Sequence, residues 1–311
     1  MMKDGLLLVD KHAGCTSHDI VQQARRLLRQ KKIGHCGTLD PGATGLLVLT
    51  LGRATRLTRF LIRAPKVYEG VIQLGAETDT YDAAGEVVAE APFADITQDA
   101  VAKAMAGFEG TIEQVAPRYS AKKIRGQKFY ELARRGEEVP EESKEIQVFE
   151  FSPQGALEDG RQGFRLGCSS GTYARSLAHD LGRALGCGAH LASLRRLQVG
   201  PFKISDAATL EDLEDRRADL DEDPGDDLEW LGASWVPFDR IPLPFGEVIA
   251  DAQQEQRVHN GQTVLVRDLE GDEGDWVKLV NRRQQLIAVG SVVERIGERG
   301  VGVIQPKVVF K

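Results

Sequence analysis

Apolar and polar positions alternate along this chain with two different periods, and the periods mark its elements. LLLVD (6–10) is a short unbroken apolar run, the pattern of a buried strand. Thr16-Ser17-His18-Asp19 then has the form of a capping box, and Ile20, Val21, Ala24, Leu27 and Leu28 form a helical stripe. LLVLTLG (46–52) and YEGVIQLG (68–75) read as further strands. Between them Arg53, Arg56, Arg59 and Arg63 recur at spacings of three and four, which predicts one helical face with Leu57, Phe60 and Leu61 turned to the core. Residues 97–110 predict a helix ending near Gly107 or Gly110. FRLGCSSGTYARSLAHDLGRALG (164–186) predicts strand, tight turn and helix, with Leu177, Leu181 and Leu185 on one stripe. From about Ser234 the pattern shortens to QTVLVRD, DWVKLVN, QLIAVGSVVE and GVGVIQPKVVF, the spacing of a small β-barrel or sandwich.

A length of 311 residues suits one large domain and one small one, and Pro224-Gly225 marks a linker between them. No run approaches the roughly 18 apolar residues that span a bilayer. The apolar core of MMKDGLLLVDKH is too short for a secretory signal. Cys15, Cys36, Cys168 and Cys187 are scattered without a C-x-x-C pair, so neither a zinc site nor a disulfide framework is expected. A cytoplasmic setting follows as the expectation.

Charge changes the picture further. The net charge of −7 argues against a nucleic-acid partner. Yet residues 206–229 carry 12 acidic and 2 basic groups, and the rest of the chain holds 38 basic against 35 acidic. Residues 53–66 hold five basic groups and no acid. Residues 118–135 hold seven against one, interleaved with Tyr119, Phe129 and Tyr130. Basic groups among aromatics suit a polyanion whose bases stack, although a charge run alone also describes a solvated face.

The candidate chemistry lies in GHCGTLDPGATG (34–45), which holds four glycines and two readily reactive acid–base groups, His35 and Asp40. Pro41 restricts Asp40 to extended backbone angles. Gly34, Gly37, Gly42 and Gly45 permit positive φ and close approach of another backbone or a ligand. The loop can therefore hold a carboxylate at the mouth of a cleft. Taken alone, Asp-Pro reads as an Asx-turn, in which Asp40 only bonds its own backbone. The spacing of a phosphate-binding P-loop is missing.

The whole string resembles the signature of the TruB family of tRNA pseudouridine synthases. LLLVDKHAGCTSHD, KVYEGVIQLGAETDTYDAAGEV, APRYSAKKIRGQKFYELARRGEEV and CSSGTYARSLAHDLGRALGCGAHLASLRRLQVG resemble the family's further segments, in order. The resemblance implies an α+β fold: a mixed, largely antiparallel sheet flanked by helices over residues 1–230, with a basic RNA-binding insertion at about 116–140. A PUA-like small β-barrel over 234–311 follows. It implies conversion of uridine to pseudouridine at position 55 in the T arm of tRNA, with the base flipped out and no guide RNA. Asp40 is then the catalytic residue, acting as nucleophile or as base on a sugar proton. His35, Tyr68, Tyr173, Arg175 and Leu194 are then substrate-binding, with Arg175 expected to keep the Asp40 pKa low. Lys122, Lys123, Arg125 and Lys128 are candidates for the RNA backbone. An isomerisation needs no cofactor and no metal, and the implied partner is tRNA through its T stem-loop, with the protein a monomer, without membrane or obligate protein partner.

This chain departs from the family pattern at His12, Cys36 and Gly42, where proline, a small residue and leucine are usual. Two other function classes stand beside the main one. A guide-RNA-dependent synthase subunit resembles this loop too, but usually lacks the insertion and differs after Asp-Pro. A non-catalytic RNA-binding or RNA-folding protein would have no need of Asp40, Tyr68 and Arg175 together.

Overall fold

The computed structural model describes residues 3–117, 143–225, 227–296 and 300–310, with the backbone alone of 123–124 and 127–128. In chain order the N-terminal part holds β1 (Gly5–Lys11), α1 (Ser17–Leu27), β2 (Ile33–His35), β3 (Thr44–Leu51), α2 (Thr58–Leu61), β4 (Lys66–Leu74), β5 (Ala76–Thr78), β6 (Val87–Glu90), α3 (Gln98–Ala106) and β7 (Gly110–Val115). The middle holds β8 (Lys123–Ile124), β9 (Gln127–Lys128), β10 (Ser143–Glu158), β11 (Arg161–Cys168), α4 (Ala174–Leu185), β12 (Ala189–Val199), β13 (Phe202–Lys203), α5 (Leu210–Ala218) and β14 (Trp235–Pro237). The C-terminal part holds β15 (Gly246–Ile249), α6 (Ala252–His259), β16 (Val264–Val266), β17 (Trp276–Val280), β18 (Leu286–Ile296) and β19 (Val301–Val309). No helix among the described residues is long and apolar enough to cross a membrane.

The main sheet runs β14-β1-β3-β12-β4-β11-β10-β7, with β2 also on β3 and β13 also on β12. Its pairs are antiparallel except where β12 meets β3, with Arg195 opposite Thr44 and Arg196 opposite Gly45. β1 and β3 are apolar at nearly every position because both faces of the sheet are covered. Leu6, Leu8, Leu46 and Val48 point into one core, and Leu7, Val9, Leu47 and Leu49 into the other. The capping box forms as the spacing predicts, Thr16 with Asp19 at the start of α1. Thr97 caps α3 and Gly107 ends it.

The acidic stretch is less detached than its charge suggests. Leu210 and Leu213 of α5 are buried in the core that also holds Ile20 and Leu27 of α1. Asp223 pairs with Arg29 at 2.7 Å.

The arginine-rich stretch after β3 departs from its predicted form. It makes a 3-10 turn over Gly52–Arg56 and then the four-residue α2. Three of its arginines lie over rings: Arg53 over Phe238, Arg56 over Phe310, and Arg59 over Phe60 and Trp276. Phe238, Phe310 and Trp276 all come from the last quarter of the chain. These guanidiniums therefore join the two ends of the molecule by cation–π contact, where the sequence suggested a face for polyanions.

The C-terminal strands form their own sheet, β15-β17-β18-β19-β16, around Val264, Leu279, Ala288 and Ile304. Its other apolar side chains, Val280, Leu286, Val289, Val308 and Phe310, belong to the core that holds Leu6 and Leu46. The two sheets thus share a core.

Candidate active site

The glycine loop leads into β3 beside the single parallel junction of the main sheet. Ser17 fixes its first half: Leu39 N–H donates to Ser17 Oγ at 2.8 Å, and Ser17 Oγ donates to Leu39 O at 3.1 Å. Lys11 fixes its second half. Its fully buried ammonium donates to Ala43 O at 2.7 Å and His12 O at 3.0 Å, with Asp40 O and Pro41 O each at 3.3 Å. Ala43 N–H donates to Asp40 O at 3.1 Å, closing a turn with Pro41 at its second position. Of the four glycines, Gly37 and Gly45 take positive φ, 101° and 100°. Gly45 is the demanding one, because a Cβ there would lie 2.3 Å from Arg196 O across the parallel junction. Gly42 has open space around it.

Held this way, the Asp40 side chain makes no Asx-turn and faces Arg175. Arg175 Nε lies 3.0 Å from Asp40 Oδ2, and Arg175 Nη2 donates to Oδ1 at 3.4 Å. Arg175 sits in the first turn of α4 and is buried. It is shared with a second carboxylate, since Nη1 donates at 3.2 Å both to Asp82 Oδ2 and to Thr80 O. Asp82 is held in turn by Thr80 Oγ1 at 2.7 Å and Ala84 N–H at 3.0 Å.

The electrostatic outcome differs from the expectation drawn for Arg175. Burial raises the Asp40 carboxyl above the ordinary carboxylate value; Arg175 pulls it down, Asp82 pushes it up and Lys11 pulls it down, and the net direction is upward. The side chain is still 45% exposed to the cleft, so water in the open cleft relieves part of that burial. Arg175 moderates the shift without reversing it, because burial is the larger effect and Asp82 adds to it.

Asp40 lies in a cleft of ≈ 460 Å³ whose walls include Tyr68, Tyr173, Arg175 and Leu194. These four sequence-predicted positions come from β4, β12, the first turn of α4 and the residue before it, and the fold brings them to one place. Tyr173 precedes α4 and is clamped by Gln114, whose side chain accepts from Tyr173 N–H at 2.7 Å and donates to its carbonyl at 3.1 Å. The Tyr68 phenol is pushed up by burial, against the pull of the neighbouring Arg196 guanidinium, so it stays a neutral hydroxyl. His35 does not line the cleft. It ends β2 half-buried, its Nδ1 lacks a hydrogen-bond partner of good geometry, and burial lowers its pKa against a weaker pull from the Gly37 backbone. Lys122 and Arg125 lie outside the described residues. Lys123 and Lys128 are described only as backbone, paired with each other across β8 and β9.

Three cleft groups escape sequence reading. Arg196 is buried, donating from Nε to Leu46 O at 2.7 Å and from Nη2 to Gly37 O at 3.1 Å. Its neighbour Arg195 pairs with Asp10 at 2.6 Å on the opposite face of β12. Strand alternation in LRRL was the available signal, one arginine in and one out. Lys66 is also buried, donating to Ile62 O at 2.5 Å and Ala64 O at 2.7 Å, and burial lowers it to about 8. Lys144 reaches Ser170 O at 3.3 Å on the cleft's far rim. The thiols do not compete with Asp40, since burial pushes Cys36 up to about 12 and Cys168 up to about 11.

Residues 25–174 match the TruB family pseudouridylate synthase N-terminal domain, and residues 175–241 the tRNA pseudouridylate synthase B C-terminal domain. The tRNA pseudouridine synthase B of Solibacter usitatus (strain Ellin6076) is 41% identical over 93% of this chain and 96% of its own length. The chain belongs to the TruB family. Another member, tRNA pseudouridine synthase B of Opitutus terrae (strain DSM 11246 / JCM 15787 / PB90-1), is 50% identical over 68% of this chain and 87% of its own. Among solved structures, the TruB fold seen here is similar to a chain of a Cbf5-Nop10-Gar1 complex, with a TM-score of 0.77 and 28% identity over 98% of this chain and 85% of that one. A chain of an archaeal box H/ACA sRNP Nop10-Cbf5 complex gives 0.75 and 27%, over 99% of this chain and 86% of that one.

Proposed function

We propose that this protein isomerises uridine to pseudouridine at position 55 in the T arm of tRNA, without a guide RNA. The observation that carries the reading is the Asp40–Arg175 pair in the wall of a cleft lined by Tyr68 and Leu194. In the reaction the C1′–N1 bond breaks, the uracil turns, and a C1′–C5 bond forms. N1 gains a proton and C5 loses one, so the change is an isomerisation. An ionised carboxylate serves either route to bond cleavage, by adding to the substrate or by removing a sugar proton. Asp40 is placed to do this, and Arg175 favours its charged form. C1′ and C5 are out of reach in a stacked loop, so the target nucleotide enters the cleft flipped out. There the Tyr68 ring offers a stacking surface and its neutral hydroxyl a hydrogen bond. Lys66, Lys144 and Arg196 give the cleft wall positive charge that suits flanking phosphates.

The names of the relatives at 41% and 50% identity support tRNA as substrate. The similar solved chains come from complexes with Nop10, and this motivates the alternative of a guide-dependent subunit at lower identity. The deciding experiment incubates the purified protein alone with an unmodified tRNA transcript and maps pseudouridine at each nucleotide. Product at position 55 is the expected result. Product only after a guide RNA is added would establish the alternative.

A further inference from the structure

Arg175 and His179 stand four residues apart on α4, so they project from one face of the helix. Both reach the segment 80–82, each at different residues. Arg175 holds Thr80 and Asp82, as described above, and the His179 ring stacks on Tyr81 between them. The ring centroids are 3.9 Å apart and the planes 28° from parallel. Tyr81 has φ 63°. A bulky aromatic residue adopts that left-handed backbone only where its surroundings compel it. Leu191 supplies part of the compulsion: its N–H donates to Tyr81 O at 2.9 Å, and its carbonyl accepts from Ala83 N–H at 3.0 Å. The stack supplies a second hold from the helix side. His179 is itself fixed, buried with Nε2 3.5 Å from Glu77 Oε2 and Nδ1 3.3 Å from Asp180 Oδ1. Neither Tyr81 nor His179 lines the cleft.

We propose that His179 is a positioning residue, whose stack on Tyr81 holds the Thr80–Asp82 segment in the shape that aims Arg175 at Asp40. The activity side of this proposal rests on the pseudouridine synthase reading, and a structural readout separates the two. Three variants test it: His179→Ala, His179→Phe and Tyr81→Asn. Asparagine tolerates left-handed φ, so Tyr81→Asn removes the ring without adding backbone strain. The measurements are single-turnover conversion of tRNA transcript at saturation, tRNA Kd, the thermal midpoint, and crystal structures of free His179→Ala and Tyr81→Asn.

His179→Ala and Tyr81→Asn should slow single turnover about 10-fold with Kd within about twofold, since misplacing a catalytic support by about 1 Å costs up to roughly 100-fold. His179→Phe keeps a ring on Tyr81 and should return the rate to within about threefold of the parent. In the variant crystals the Arg175–Asp40 contact should lengthen from 3.0 Å. A merely structural histidine would lower the thermal midpoint and the active fraction while the folded fraction reacts at the parent rate. That outcome overturns the proposal, as does an unchanged Arg175–Asp40 contact. If His179→Ala does not fold, Tyr81→Asn decides by the same readouts. If the parent protein makes no pseudouridine, the functional reading falls, and the crystal geometry still decides the role of His179.

Discussion

Asp40 sits where burial disfavours the charge that the proposed reaction requires, and this conflict has measurable consequences. A carboxyl whose folded pKa exceeds its unfolded value destabilises the fold once it ionises. The cost is absent below the ordinary value of 3.8, grows as pH rises through the interval up to the folded pKa, and is complete above it. Asp40→Asn should therefore raise the thermal midpoint at about pH 7.5, with the gain vanishing below about pH 4. The same variant should lose turnover by about 1,000-fold or more while tRNA affinity changes little, because Asn keeps the size and removes the anionic oxygen. Arg175 and Asp82 act on the acid limb of the pH–rate profile in opposite directions. Removing the cation in Arg175→Ala should move the limb to higher pH. Removing the competing carboxylate in Asp82→Asn should move it lower, provided Thr80 keeps Arg175 in place. A limb that shifts the same way in both variants would show that Arg175 acts on Asp40 through position alone.

At the scale of elements, the site depends on the crossing of β3 and β12 more than on the glycines as a set. Gly45→Ala adds both an unfavourable φ and a clash with Arg196 O, and should cost about 3 kcal/mol or more in urea unfolding. Gly42→Ala, at ordinary φ and in open space, should cost less than about 1 kcal/mol. Equal costs would mean that the loop relaxes around the crossing. The same junction explains why two adjacent arginines have different fates. Alternation along β12 sends Arg195 to Asp10 and Arg196 under the glycine loop.

For the whole molecule, the shared core changes what the C-terminal sheet is expected to do. A domain boundary at 230 implies that a cut near Trp230 leaves a folded unit. In the structure that cut removes β14 from the edge of the main sheet and uncovers Leu6, Leu8 and Leu46. It also strips the rings from beneath Arg53 and Arg56. The truncated protein should lack a cooperative unfolding transition by calorimetry; a sharp transition would show that the two sheets fold independently. The RNA grip proposed for the basic stretch 118–135 would lie in a different part of the chain. Reversing charge at Lys122 and Lys123 should weaken tRNA binding and reduce its salt slope by up to about two, one for each phosphate that is no longer neutralised.

The sequence by itself determined the local pieces and named the candidate for the reacting group. Periodicity marked β1, α1, β3 and α3, since amphipathic spacing and capping chemistry are local properties. The motif around Asp40 named the loop, and the same resemblance named Tyr68, Tyr173, Arg175 and Leu194. What surrounds those residues was decided only by the tertiary structure. Asp82, Lys11, Lys66 and Arg196 look like ordinary surface charges in a string, because nothing local says which carbonyl or carboxylate will come within hydrogen-bonding reach. Arg53, Arg56 and Arg59 carry the composition of an RNA-binding face, yet three of the rings they cover, Phe238, Phe310 and Trp276, lie far along the chain. The Asp40 pKa runs opposite to the expectation for the same reason. A nearby arginine could be named from sequence, but burial and a second carboxylate on that arginine are sums over the whole fold.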